Sequence, residues 1–173
     1  MNIAEKIRTV PDWPIEGVMF RDITTILLDP EAFRHVMDRF YERYKDMGVD
    51  KVVGIDARGF IFGSVLAYML GVGFVPVRKL GKLPHVTVKA EYTLEYGNDV
   101  VEMHADAIEK GERVVIVDDL IATGGTVAAA VKLVEQVGGE IIECAFVVEL
   151  PDLGGRHKIV GQKIFTLCEF EGE

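Results

Sequence analysis

The chain is poor in cysteine: Cys144 and Cys168 are the only two in 173 residues. They lack metal-ligand spacing and sit in apolar, strand-like segments, so they read as small buried hydrophobes and not as a disulfide framework. No apolar run approaches the ~18 residues of a membrane-spanning helix. The start, Met1 to Lys6, lacks the apolar region of a secretory signal. Basic charge is scarce as well. The net charge of −9 would repel a phosphate backbone, which argues against nucleic acid as a partner. The four histidines, His35, His85, His104 and His157, show no ligand spacing. There is no internal repeat, no low-complexity segment and no interdomain linker. The reading is one cytoplasmic domain over 1–173, with no membrane and no nucleic-acid partner. Its 49% apolar content suffices for a real core.

What is present is a regular alternation. Residues 1–28 are punctuated by Pro11, Pro14 and Gly17 and form an N-terminal segment. Asp29-Pro30 is a helix start, with Asp as N-cap and Pro in the first turn. Phe33, Val36, Met37, Phe40, Tyr41, Tyr44 and Met47 then recur at helical spacing. Strands are predicted at 51–55, 73–77, 113–117, 141–150 and 164–169, and helices at 60–70 and 126–137. Residues 78–90 carry Gly81 and Pro84 and read as a loop. Alternation on both sides of Gly97-Asn98 suggests a hairpin. Strands alternating with helices predict an α/β fold: a mostly parallel twisted sheet flanked by helices on both faces.

The densest chemical signal is Val114-Val-Ile-Val-Asp-Asp-Leu-Ile-Ala-Thr-Gly-Gly-Thr126. Four β-branched residues give a buried strand, and Asp118 and Asp119 are predicted where it ends. Ala122, Thr123, Gly124, Gly125 and Thr126 follow as a small-residue turn that opens a helix. Unpaired N–H groups and the positive end of a helix dipole suit a phosphate there. The two carboxylates suit vicinal sugar hydroxyls or a bound cation. Neither the Gly-Lys-Ser/Thr of an ATP-type loop nor a Gly-x-Gly-x-x-Gly fingerprint is present. The acidic total charge does not forbid a small anion, because N–H groups, Arg and a divalent cation act locally. A second strand end, Gly54-Ile-Asp-Ala-Arg-Gly-Phe60, repeats this logic. Arg58 is a fork-shaped donor suited to a diphosphate, and Gly59 permits close backbone approach. Arg78, Lys79 and Lys82 place three cations in a loop long enough to serve as a lid.

These segments, together with Gly17-Val-Met-Phe-Arg-Asp-Ile23 and Tyr92-Thr-Leu-Glu-Tyr-Gly97, resemble the adenine-specific family of type I phosphoribosyltransferases, in order and spacing, from about residue 5 to 170. The resemblance implies a small N-terminal hood over 1–28 and a flexible lid loop and hairpin over 78–104. It implies that Phe20 stacks on adenine, with backbone groups around Met19 and Arg21 recognising it. Asp56, Ala57, Arg58, Gly59, Arg78, Lys79, Lys82 and Tyr96 fall in the remaining substrate-binding segments, with Arg58 and Lys79 meeting pyrophosphate. Asp118 and Asp119 would hold the ribose hydroxyls, residues 122–126 the 5′-phosphate, and Glu95 would be the acid/base. Arg58, Glu95, Asp118 and Asp119 form the catalytic set. The resemblance also implies Mg²⁺ as cofactor, held mainly by substrate pyrophosphate and ribose hydroxyls rather than by protein ligands. A homodimer and a non-proline cis peptide within Asp56–Arg58 are implied too. Substrates and products would be phosphoribosyl pyrophosphate, adenine, AMP and pyrophosphate. His85 to Ala90 receives no role.

Three other readings stay open on the residues alone. One is an enzyme of the same kind acting on guanine or xanthine. Another is a non-catalytic phosphoribosyl pyrophosphate sensor controlling transcription, which would need an appended basic DNA-binding region. The third is an interaction protein on an old enzyme fold, against which the intact Glu95 and 118–126 segment argue.

Overall fold

A computed structural model describes residues 1–94 and 96–172. The predicted acid/base Glu95 therefore lies outside the described residues. The chain opens with an antiparallel pair, β1 (Arg8–Pro11) and β2 (Met19–Asp22), in register from Arg8 opposite Asp22 to Pro11 opposite Met19. A short helix, α1 (Thr24–Leu28), leads to α2 (Pro30–Tyr44). The predicted cap is present. Asp29 accepts from the backbone N–H groups of Glu31 at 3.0 Å and Ala32 at 3.2 Å, and Pro30 occupies the first turn.

The main body is a seven-stranded sheet. Its strands are β3 (Lys51–Ile55), β4 (Gly73–Lys79), β5 (Thr87–Leu94), β6 (Gly97–His104), β7 (Arg113–Ile121), β8 (Glu140–Glu149) and β9 (Ile164–Glu169). Their spatial order is β5-β6-β4-β3-β7-β8-β9. The pairings β3–β4, β3–β7, β7–β8 and β8–β9 are parallel, while β4–β6 and β5–β6 are antiparallel. Helix α3 (Arg58–Leu70) connects β3 to β4, and α4 (Gly125–Gln136) connects β7 to β8.

Two-residue periodicity divides the core between the faces of the sheet. Val53, Val114 and Ile116 point toward α4, where Val127, Ala130, Leu133 and Val134 meet them. Val52, Val115 and Val117 point to the other face, under Val36, Phe40 and Tyr44 of α2 and Phe62 and Leu66 of α3. The predicted α2 stripe thus packs inward, although Phe33, Tyr41 and Met47 are only partly covered. Each large apolar side chain so buried contributes about 1.5–3 kcal/mol. Among the described residues no helix is long and apolar enough to cross a membrane.

Several boundaries differ from the sequence reading. β7 runs through Asp118 and Asp119 to Ile121 instead of ending before them. Its pairing with β3 stops at Val117 opposite Gly54, but β8 accompanies it to Ile121 opposite Glu149. β4 extends through Arg78 and Lys79, which pair with Glu102 and Val101 of β6. The predicted 78–90 loop therefore shrinks to 80–86. The hairpin does not turn at Gly97-Asn98, because Gly97 already pairs with Leu94 and Asn98 with Thr93. This register puts the buried Ala90 and Val101 opposite each other, with Val88 opposite Met103. A hydrophobic face of a hairpin decides register more strongly than a local turn signal.

Candidate active site

Helix α3 leaves the end of β3 toward one face and α4 leaves the end of β7 toward the other. In an open α/β sheet such a switch point leaves a crevice beyond the carboxyl ends of the strands. A cleft of about 510 Å³ lies there. Its lining includes eleven residues from the sequence reading: Asp56, Ala57, Arg58, Lys79, Asp118, Asp119 and the five residues Ala122–Thr126.

The floor is the β7 extension. Asp119 is only 4% exposed and accepts a 2.5 Å bond from Nε of Arg58. Among the described hydrogen bonds Arg58 uses Nε alone, so its terminal nitrogens keep donor capacity. Asp118 accepts the Asp119 backbone N–H at 2.9 Å. Burial, reinforced by the neighbouring Asp119 charge, pushes the Asp118 carboxyl well above the ordinary carboxylate range. The floor thus places two carboxyl groups beside Arg58, which pairs with Asp119. Gly59 explains how α3 comes so near: a Cβ there would sit 2.8 Å from the Val117 carbonyl oxygen and 2.9 Å from Asp118 Oδ1. The Asp56–Ala57 peptide bond just before α3 is cis, as the resemblance implied.

A second acid–base pair closes the β3 end. Arg78 donates from Nε to Asp56 at 2.9 Å and from Nη1 to the Lys82 carbonyl at 3.3 Å. Asp56 and Arg58 are therefore not a local turn pair, since each has a partner from another strand. Lys79 reaches Asp99 at 3.1 Å, and Tyr92 donates to the same carboxylate oxygen at 3.1 Å. The hydrogen bond to Asp99, with its charge, raises the Lys79 ammonium pKa.

The other wall is the start of α4. Gly124 has φ +83°, a left-handed turn that glycine adopts without penalty. Its carbonyl accepts from Ala128 at 3.0 Å, as the helix begins. No carboxylate lies within 122–126, so this wall offers N–H groups and the Thr123 and Thr126 hydroxyls to an anion.

The remaining predicted residues are not in the lining. Phe20 stands nearest: its ring is 6.0 Å from the Arg58 guanidinium carbon and carries Trp13 edge-on at 4.4 Å. Met19 is 36% exposed. Arg21 turns away, donating to Thr9 Oγ1 at 2.7 Å and lying 4.4 Å over the Phe170 ring. Lys82 is exposed, and Tyr96 is 92% exposed at the hairpin tip. The sequence reading missed Ile55, Leu120, Ile121 and Val127, which also line the cleft. Leu120 and Ile121 sit inside the quoted motif, and the β7 extension makes them lining. The Asp99–Tyr92 pair left no legible signal, since it depends on hairpin register.

A family profile described as the phosphoribosyl transferase domain matches residues 22–167. The adenine phosphoribosyltransferase of Desulfosudis oleivorans is 66% identical over 173 residues, covering 100% of both chains. The chain belongs to the adenine phosphoribosyltransferase family. It is thus an enzyme of the type I phosphoribosyltransferase group, with the fold of that group. The crystal structure of the adenine phosphoribosyltransferase from Thermoanaerobacter pseudethanolicus superposes with a TM-score of 0.93 at 49% identity, covering 97% of this chain and 98% of that one. The adenine phosphoribosyltransferase of Saccharomyces cerevisiae, solved with an imino-altritol bisphosphate and adenine, gives 0.90 at 44% identity, covering 95% and 96%.

Proposed function

We propose that the chain transfers the 5-phosphoribosyl group from phosphoribosyl pyrophosphate to adenine, giving AMP and pyrophosphate. One observation carries the assignment of roles. At a single switch point, a carboxylate-free helix start faces an aspartate pair and an arginine that still has donors to offer. Residues 122–126 bind the 5′-phosphate through N–H groups and hydroxyls. Asp118 and Asp119 accept the ribose hydroxyls. Arg58 and Lys79 meet the pyrophosphate, Lys79 exchanging its exposed pairing with Asp99 for the diphosphate. Phe20, beside Arg58, stacks on the base, for about 1–3 kcal/mol.

In the reaction the C1′–oxygen bond to pyrophosphate breaks and the C1′–N9 bond to adenine forms. C1′ gains positive charge as the diphosphate departs. The carboxylates of the floor stabilise that charge more than they stabilise the ground state. Glu95 takes the N9 proton. Closure of the 80–86 loop and the hairpin tip excludes water from the reactive carbon.

Mg²⁺ fits this site as a companion of the substrate. In this reading substrate oxygens supply most of its ligands. A cation nearby would favour the ionised form of Asp118, which burial and the Asp119 charge otherwise disfavour. When bound, the ion neutralises charge on the leaving diphosphate. The chain also acts as a homodimer in this reading, checked by light scattering at micromolar concentration.

The test is pyrophosphate release from phosphoribosyl pyrophosphate with adenine, hypoxanthine, guanine and xanthine in turn, with Mg²⁺ and after chelation. Adenine alone should support rapid release, and only with the metal. Equal turnover of guanine or xanthine removes the base assignment, and full activity after chelation removes the metal.

A further inference from the structure

The segment after β8 lies outside the cleft lining, yet its backbone touches the 122–126 loop. Gly155 is buried and does not occupy the left-handed region, so its backbone conformation is open to other residues. Space forbids them. A Cβ at Gly155 would stand 2.5 Å from the Ala122 carbonyl oxygen, 2.8 Å from Ile121 Cγ1 and 3.2 Å from the Gly124 nitrogen. The reverse holds too: a Cβ at Gly124 would stand 2.5 Å from the Gly155 carbonyl oxygen and 2.9 Å from its Cα. The two backbones are in direct contact, and neither position has room for a side chain.

The contact is held from below. Leu150 donates its N–H to the Ile121 carbonyl at 3.0 Å, which ties the start of the segment to the end of β7. Arg156, next to Gly155, grips Glu149 with both prongs, at 2.5 Å from Nε and 2.7 Å from Nη2. Glu149 is 3% exposed and stands opposite Ile121 in the sheet register. A two-pronged charge-assisted pair fixes geometry as well as distance. The turn between the clamp and the contact is closed by the His157 N–H on the Gly154 carbonyl at 3.0 Å.

We propose that Gly155, held by the Glu149–Arg156 pair, is a positioning residue for the 5′-phosphate. It fixes the Ala122 carbonyl and the Gly124 amide, and so directs the N–H groups of the loop at the ligand. The proposal rests on the reading of 122–126 as the 5′-phosphate loop. It predicts an effect confined to ligands that carry that phosphate.

The experiment compares steady-state KM values in both directions for the full chain and three variants. Gly155→Ala should raise KM for phosphoribosyl pyrophosphate and for AMP by at least about tenfold, short of the roughly hundredfold that a 1 Å misplacement can cost. KM for pyrophosphate, which binds across the cleft, should stay within about twofold, a difference too small to amount to one lost hydrogen bond. Arg156→Lys keeps the charge and loses the fork. It should raise the same two values by about threefold, the scale of one net hydrogen bond. It also decides the matter if Gly155→Ala does not fold. Thr126→Val tests the loop itself. If Thr126→Val raises KM for AMP while folded Gly155→Ala and Arg156→Lys leave it unchanged, the positioning role is wrong and the loop assignment stands. If none of the three changes it, the loop assignment fails. An equal rise in KM for pyrophosphate would mark general damage to the site and overturn the proposal.

Discussion

Replacing Asp118 by Asn should make the ligand-free protein more stable and the enzyme far slower. The carboxyl lies half-buried beside Asp119, with its pKa raised by desolvation first and by the Asp119 charge second. An amide removes both penalties. Its oxygen can still accept the Asp119 N–H that Asp118 now accepts at 2.9 Å, so the local backbone loses nothing. A single stabilising substitution of this kind is worth about 0.5–2 kcal/mol, which for a chain of this length moves Tm by about 2–4 °C per kcal/mol.

The pH dependence has a definite sign. Folded Asp118 keeps its proton to a higher pH than the unfolded chain does, so between the two values the folded state binds more protons. Wild-type stability therefore falls as pH rises through that window, and the cost is complete above the folded value. The advantage of the Asn variant should be full there and should shrink toward zero as pH falls to about 4, where the unfolded carboxyl also protonates. Catalysis should move the other way. The amide lacks the charge that offsets the forming C1′ cation, and kcat should fall by about 10²–10³, the scale of losing one electrostatic stabiliser. Calorimetry of both proteins without ligand at pH 7.5 and pH 5, with a turnover assay, measures all three effects. A less stable Asn variant at pH 7.5, or one with wild-type turnover, would refute the reasoning.

Two further predictions follow from other residues. Glu95→Gln should lower kcat by about 10²-fold, a typical loss for one general base, with KM for phosphoribosyl pyrophosphate nearly unchanged; single-turnover measurements showing wild-type chemistry would remove its acid/base role. Glu143 is 4% exposed and takes Arg43 at 2.6 and 2.7 Å and the Tyr44 hydroxyl at 2.8 Å. Burial alone would raise its pKa, but these partners outweigh burial and hold it low. Glu143→Gln should cost about 2–3 kcal/mol after allowing for the partial exposure of Arg43. Because the folded pKa is depressed, the wild-type advantage is present above the unfolded value and lost as pH falls through the folded one. Urea midpoints at pH 7 and pH 3.5 should show the gap closing, and a constant gap would mean the ion pair is not its source.

Local chemistry made much of the molecule legible in the chain itself. Asp29-Pro30 can cap a helix with only its own next three residues. The run Val114–Val117 has to be buried on both faces whatever surrounds it. The glycines at 124 and 125 shape a helix start from within, and the order of these segments carried the family resemblance. What the sequence could not decide were contacts between residues remote in the chain. Arg58 and Asp119 are 61 positions apart, and nothing near either one says that they pair. Arg78 and Lys79 looked like loop cations because only pairing with β6 extends β4 through them. Asp118 and Asp119 looked like the residues beyond a strand because only β8 carries β7 past the end of β3. Gly155 had no visible purpose until the Gly124 backbone lay against it. Propensity, capping and turn chemistry act over a few residues and can be read in order. Register, burial of charge and backbone contact are settled when distant segments meet, so they belong to the tertiary structure alone.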